Sequence, residues 1–169
     1  MKNSKLKGFT LVELIVVIAI IGVLMAILIP NLITYINDAR TTTANSGANQ
    51  VFMNASAYAT KSLVAGKPHA DGKYQNTVAI ASAKVDDDFS GGFDEGKFAT
   101  SMSSYLGDLA DGSSWGVYFK SGNITGAVWA KSSTDPIVGA YPIARNPGQN
   151  AVAANNFASV YGGTDWYND

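Results

Sequence analysis

The sequence predicts an α+β protein in which one long N-terminal α-helix packs on an antiparallel β-sheet. Three observations predict this fold class. Residues 9–29 form an almost uninterrupted apolar run. Residues 30–66 place apolar side chains at three- and four-residue steps, as an amphipathic helix does. Residues 114–169 begin with two segments of alternating side chains around a turn, as hairpin strands do. At 169 residues, the chain has room for one modest domain beyond the apolar run.

The apolar run from Phe9 to Ile29 contains about 21 residues, enough to cross a bilayer as a helix. It holds one carboxylate, Glu13, near its start. A charge within a membrane span is costly and usually serves a function. Three lysines and no acidic residue lie within residues 1–8. Because positive residues stay in the cytoplasm, we expect the N-terminus inside and the chain from about Asn31 outside.

This N-terminus differs from a secretory signal peptide, which has a shorter apolar core followed by a small-residue cleavage site. The segment that follows the run, residues 29–32, offers no such site. The small residue, Gly8, lies before the apolar core instead. Cleavage after Gly8 would therefore leave the apolar helix on the mature chain. A plain signal anchor would explain the lysines and the length of the run, but not Glu13.

The basic leader ending in Gly8, the sequence FTLVE at residues 9–13 and the apolar helix together resemble the N-terminus of a type IV prepilin. The resemblance implies that residues 1–8 are a leader peptide, which a prepilin peptidase removes at the cytoplasmic face. It also implies that the same enzyme N-methylates the new amine of Phe9.

The resemblance further implies how copies of the chain would assemble. Glu13 would pair with the Phe9 amine of a neighbouring subunit, because an unpaired buried carboxylate costs several kcal/mol. Thr10 would lend its hydroxyl to the same site. Head-to-tail contacts that never close produce a helical filament. Gly22 and Pro30 interrupt the helix, and by resemblance this stretch kinks and loses helicity in the filament.

The amphipathic pattern of residues 30–66 ends at Gly66, with Pro68 just beyond, which is a helix stop. The sequence therefore predicts one helix from Thr10 to Ala65, about 85 Å long at about 1.5 Å per residue. Its predicted buried stripe consists of Leu32, Ile36, Ala39, Thr43, Ala48, Val51, Phe52, Ala55, Tyr58, Ala59 and Leu63.

Residues 67–113 form a predicted connecting region rich in Gly, Ser and Asp. Within it, Thr77–Val85 fits a short strand or a helical turn. Asp94 is a candidate N-cap for a helix that carries four residues on one face: Phe98, Met102, Tyr105 and Leu106.

Residues 114–169 are expected to form the sheet and a C-terminal loop. Trp115–Lys120 and Ile124–Ala130 flank a Ser-Gly-Asn turn and predict a hairpin. Ile137–Ala144 predicts a third strand, placed at an edge by its prolines. Asn146–Asp169 is loop-rich, and an aromatic cluster is expected to attach it to the sheet: Tyr161, Trp166 and Tyr167.

The chain contains no cysteine, so it has neither disulfides nor a thiolate metal site. Pilins of many Gram-negative bacteria staple their C-terminal region with a disulfide. This chain departs from that pattern and is similar to the cysteine-free pilins of Gram-positive or anaerobic bacteria. Packing and hydrogen bonds must therefore hold its C-terminal region.

One acidic segment, residues 86–91, imitates the opening of a calcium loop, with Asp86, Asp88 and Asp94 as candidate ligands. The twelfth position of that pattern is Lys97, where a bidentate glutamate is required. A solvated acidic loop is the alternative. We predict no cofactor for this chain.

The charge balance argues against nucleic acid as a partner. Without residues 1–8, nine basic and thirteen acidic residues remain, whereas nucleic-acid binding requires a basic face. No nucleophilic triad is visible, and His69, the single histidine, lies in a Gly-Lys-Pro-His loop. We therefore predict a protein that is not an enzyme.

The sequence thus predicts a structural subunit of a type IV pilus for adhesion, twitching motility or biofilm formation. Its expected partners are other copies of itself, the prepilin peptidase, the cytoplasmic membrane and the pilus assembly machinery. It would lie in that membrane as a single-pass protein before assembly and in an extracellular filament afterwards. The alternatives are a pseudopilin of a type II secretion or competence system, a minor pilin, and an enzyme anchored by one span.

Overall fold

The computed structural model describes residues 8–68, 71–75, 95–109, 111–150 and 157–167. The chain divides into two compact units, Met1–Ile36 and Asn37–Asp169. The predicted Thr77–Val85 segment and the candidate cap Asp94 lie outside the described residues.

Helix α1 spans Leu11–Val64, which confirms the predicted helix Thr10–Ala65 to within one residue at each end. In the first unit, every residue of α1 is exposed, and most of the side chains are large and apolar. A helix that is hydrophobic on all sides is normally covered by a membrane or by other protein. Among the described residues, α1 is long and apolar enough to cross a membrane, a criterion of length and composition only.

The second unit contains a four-stranded antiparallel sheet in the order β1-β2-β3-β4. Its strands are β1 Gly72–Gln75, β2 Ser114–Lys120, β3 Asn123–Ala130 and β4 Val138–Tyr141. The predicted hairpin is confirmed as β2 and β3. Its loop has two residues, Ser121 and Gly122, with φ of 53° and 79°, as the favoured primed hairpin turns require. Asn123, expected in the turn, pairs with Lys120 in the ladder.

The two edge strands differ in how well the sequence predicts them. Strand β4 covers the middle of the predicted Ile137–Ala144 and lies at an edge, as expected from the flanking prolines. Strand β1 lies within the predicted connecting region and was not predicted. This strand has four residues and a single large apolar side chain, Tyr74. Such a short segment shows no alternating pattern that would predict a strand.

The predicted buried stripe of α1 is partly wrong, because a different set of residues packs on the sheet. The buried residues are Thr41, Ala44, Gly47, Ala48, Val51, Ala55, Tyr58, Ala59 and Ser62. Five residues of the predicted stripe are exposed: Leu32, Ile36, Ala39, Thr43 and Leu63. The reason is that α1 lies very close to the sheet, so only small side chains fit between them. A Cβ atom added to Gly47 would lie 2.7 Å from the Trp129 ring, and the backbone of Gly139 runs directly against that of Ala44.

Helix α2, Glu95–Leu106, completes the core on this face of the sheet. The predicted helix is confirmed, and three of its four predicted face residues are buried: Phe98, Met102 and Leu106. Tyr105 is the exception, with 36% of its surface exposed. Its hydroxyl accepts a hydrogen bond from Lys61 Nζ at 3.0 Å. The polar tip of the tyrosine ring thus remains at the surface, as amphipathic side chains prefer.

The opposite face of the sheet is covered by residues 157–167, which we call the C-terminal strap. The strap begins with a short helix, α3, Phe157–Gly162, which was not predicted. Trp166 is fully buried, and Tyr167 forms a bridge with Gly126 and stacks on Tyr118 at 4.0 Å between ring centroids. The predicted attachment of the C-terminal aromatic residues to the sheet is confirmed.

Asn45 on α1 bonds to β4 and to the chain segment that follows it. Its Oδ1 accepts hydrogen bonds from the backbone N–H groups of Ala140 at 3.0 Å and Arg145 at 3.1 Å. Its Nδ2 donates to the Arg145 carbonyl at 2.7 Å. Asn150 adds a second tie, since its Nδ2 donates to Thr41 Oγ1 at 3.2 Å. These side-chain amides supply the hydrogen bonding that a chain without cysteine needs near its C-terminus.

Replacing Asn45 with alanine is expected to lower the free energy of unfolding by about 2 kcal/mol, because two N–H groups and one carbonyl lose a half-buried partner. The matched control is Asn49→Ala, an exposed site on the same helix. Thermal unfolding of both variants in detergent checks this. Equal midpoints for the two variants would contradict the assigned role of Asn45.

Candidate processing and assembly site

The start of α1 places the predicted cleavage site outside the helix. Residues 8–10 have no regular secondary structure, and the helix begins at Leu11. The Leu14 N–H donates to the Thr10 carbonyl at 3.3 Å, which makes Thr10 the N-cap residue. The Gly8–Phe9 peptide bond therefore precedes the first helical turn. Phe9 is 81% exposed.

Thr10 and Glu13 form a reciprocal capping box. The Glu13 N–H donates to Thr10 Oγ1 at 3.3 Å. In return, Glu13 Oε2 accepts from the Thr10 N–H at 2.8 Å and from the Thr10 hydroxyl at 2.7 Å. This arrangement satisfies N–H groups that have no partner within a helix. The negative charge also lies at the helix N-terminus, where the macrodipole favours it.

The capping box was not recognised in the sequence, although its signature is there. The pattern is a threonine followed three residues later by a glutamate, directly before an apolar run: Thr10-Leu11-Val12-Glu13. The box gives Glu13 a partner within its own chain. Both side-chain hydrogen bonds end on Oε2, and none from the described residues ends on Oε1.

Gly22 and Pro30 lie further along α1, apart from the capping box. The helix continues through both residues. Around Pro30, side chains bond to nearby carbonyls: Asn31 Nδ2 donates to Ile27 at 3.3 Å, and Thr34 Oγ1 donates to Pro30 at 3.2 Å. A Cβ atom added to Gly22 would meet no atom within 4 Å, so packing within the chain does not require a glycine there. A kink or loss of helicity at these residues remains a prediction.

The candidate calcium ligands Asp86, Asp88 and Asp94, and also His69, lie outside the described residues. Within the described part of the chain, no group of three or more His, Cys, Asp or Glu side chains is arranged to hold a metal ion.

The structure thus combines an apolar helix that has a capped, acidic first turn with an antiparallel sheet. Residues 3–29 match the family model described as the prokaryotic N-terminal methylation motif. The type IV wide pilus major component PilA4 of Thermus thermophilus is 49% identical over an alignment that covers 23% of this chain and 37% of that protein. The match thus spans little more than a third of the relative's length. Both findings confirm the resemblance to the type IV pilins. No solved structure matches the chain at a significant level.

Proposed function

We propose that the chain is a structural subunit of a type IV pilus, processed after Gly8 and assembled with other copies into a helical surface filament. The single observation that carries this proposal is the capped, acidic start of a helix that is exposed at every position from 11 to 36. Such a surface cannot stay in water, because burying apolar area contributes about 25 cal/mol per Å². The membrane covers it before assembly, and neighbouring subunits cover it afterwards.

The capping box refines the proposed role of Glu13. Its Oε2 is held by the first turn of its own helix. Its Oε1 is then available to accept a hydrogen bond from the Phe9 amine of a neighbouring subunit. Thr10 acts as a positioning residue, since it fixes the carboxylate before the neighbour arrives. The intrachain bonds also reduce the cost of keeping this charge at the edge of the membrane.

Electron microscopy of surface filaments, labelled with an antibody against residues 37–169, tests this function. We expect label along the whole shaft, as for a major pilin. Label at the tip alone would indicate a minor pilin. A third result would be cells that carry no labelled filament and yet secrete proteins, or take up DNA, normally. That result would indicate a pseudopilin and would overturn the proposal.

Replacing Gly8 with leucine is expected to abolish removal of the leader, because a bulky residue at the scissile bond would not fit the peptidase. A Cβ atom added to Gly8 would meet no atom of the described residues within 4 Å, so folding is not expected to change. Gly8→Ala is the matched control. Immunoblotting for the shift in size, with mass spectrometry of the N-terminus, measures processing. A normal shift for Gly8→Leu would contradict the proposed site.

A further inference from the structure

Lys73, on the edge strand β1, binds the end of helix α3 through its ammonium group. Its Nζ donates to the backbone carbonyls of Tyr161 at 3.0 Å, Gly162 at 3.1 Å and Gly163 at 2.7 Å. An ammonium group has three N–H donors, so these three acceptors match its full capacity. A cation at the C-terminus of a helix is also favoured by the helix dipole.

Three aromatic rings of the strap surround the same ammonium group. Nζ lies 5.8 Å from the ring centroid of Tyr161, 5.7 Å from that of Trp166 and 5.2 Å from that of Tyr167. These distances are within the reach of cation–π attraction, about 6 Å. Partial burial lowers the pKa of the Lys73 ammonium. The carbonyl oxygens and ring faces act against this cost of desolvation.

The strap has two further kinds of contact, an ion pair and an apolar surface. Asp165 Oδ2 lies 3.3 Å from Nη1 of Arg145. The strap also packs on the outer side chains of the sheet: Val128, Ala130, Val138 and Ala140. The contacts of α1 and α2 belong to the other face of the sheet. The strap and the two helices α1 and α2 thus cover opposite faces of the sheet with separate sets of side chains.

We propose that Lys73 is the latch of the C-terminal strap, and that residues 157–167 open and close as one unit controlled by its ammonium group. When the latch is closed, the strap covers the apolar outer face of the sheet. When the hydrogen bonds of Lys73 are lost, the strap opens locally, while the other face of the sheet stays packed. The α1 face of the sheet does not take part.

Hydrogen exchange of the full chain in detergent micelles, followed by mass spectrometry, tests the latch. In Lys73→Met, we expect peptides from residues 157–167 to exchange about 10- to 100-fold faster, because hydrogen bonds of a charged group are lost. Peptides from β2 and β3 are expected to change less than about twofold. Lys131→Met removes the same charge from an exposed site and is the control.

A second variant, Lys73→Ala, leaves space for an added amine. We expect ethylammonium chloride to restore the slow exchange of the strap, and sodium chloride at the same ionic strength not to restore it. Equal acceleration of the strap and of β2 and β3, unfolding of the whole domain, or unchanged exchange in Lys73→Met would each overturn the latch. Failure of ethylammonium to slow exchange would overturn the assigned role of the charge.

Discussion

Glu13→Gln is expected to leave cleavage after Gly8 intact and to reduce the yield of filaments by more than about 100-fold. The physical reason is the unpaired charge that remains. In the proposed filament, loss of the carboxylate would leave the Phe9 amine of the neighbouring subunit buried with no counter-ion. Breaking a buried ion pair costs about 3–5 kcal/mol. Each 1.4 kcal/mol corresponds to about a tenfold change in an equilibrium constant.

Glutamine is the informative substitution because it separates the two roles of Glu13. A glutamine can still accept the Thr10 N–H in a capping box, whereas alanine would lose both the cap and the charge. Thr10→Val removes the hydroxyl and keeps the charge, and Thr10→Ser preserves both. We expect filament yields to fall strongly in Glu13→Gln, moderately in Thr10→Val and little in Thr10→Ser.

The measurement is sheared-filament yield per cell, normalised to the amount of processed subunit on an immunoblot. Normal yield from Glu13→Gln would contradict the pairing with Phe9, and would leave helix capping as the role of Glu13. Equal losses in Thr10→Ser and Thr10→Val would contradict the positioning role of the Thr10 hydroxyl.

Gly139→Ala is expected to destabilise the second unit by about 3 kcal/mol, since overpacking against rigid backbone is among the costly core changes. An added Cβ atom would overlap the carbonyl group of Ala44 and the amide of Asn45, at distances that real Cβ atoms do not show. Because the obstruction is backbone, no side-chain rotation can relieve it. Strand β4 would have to move away from α1.

Gly148→Ala is the matched control, because the nearest atom to an added Cβ there is the Asn146 side-chain oxygen at 3.4 Å. Thermal unfolding in detergent, followed by circular dichroism, is expected to show a midpoint lower by about 10 °C or more for Gly139→Ala. The control is expected to change it by about a degree or two. Equal midpoints for the two variants would show that α1 and β4 can separate without cost.

Much of the N-terminal region could be predicted from the sequence, because the features that define it lie close together along the chain. The length of the apolar run, its single carboxylate and the lysines before it lie within 29 consecutive residues. The helix bounds and the hairpin also follow from short-range periodicity and turn residues. The capping box is local too, and the pattern from Thr10 to Glu13 would have predicted it.

The residues that bury the second half of α1 could not be predicted, because burial there follows distance to the sheet rather than hydrophobicity. Ala44 and Gly47 are buried because Gly139 and Trp129 approach them closely, whereas Leu63 is 48% exposed. The spacing of apolar residues predicts the buried face of a helix only when large apolar side chains occupy that face. Here small residues form the contact.

By itself, the sequence determined the membrane-length helix, the lysines before it, the acid at its start and the α+β class. These features depend on composition and on spacings of a few residues. Only the tertiary structure decided how the C-terminal region is held without cysteine. Lys73 meets carbonyls 88–90 positions away, and Asn45 bonds to groups 95 and 100 positions away. No pattern along the chain encodes such pairs, because folding sets the distance between them.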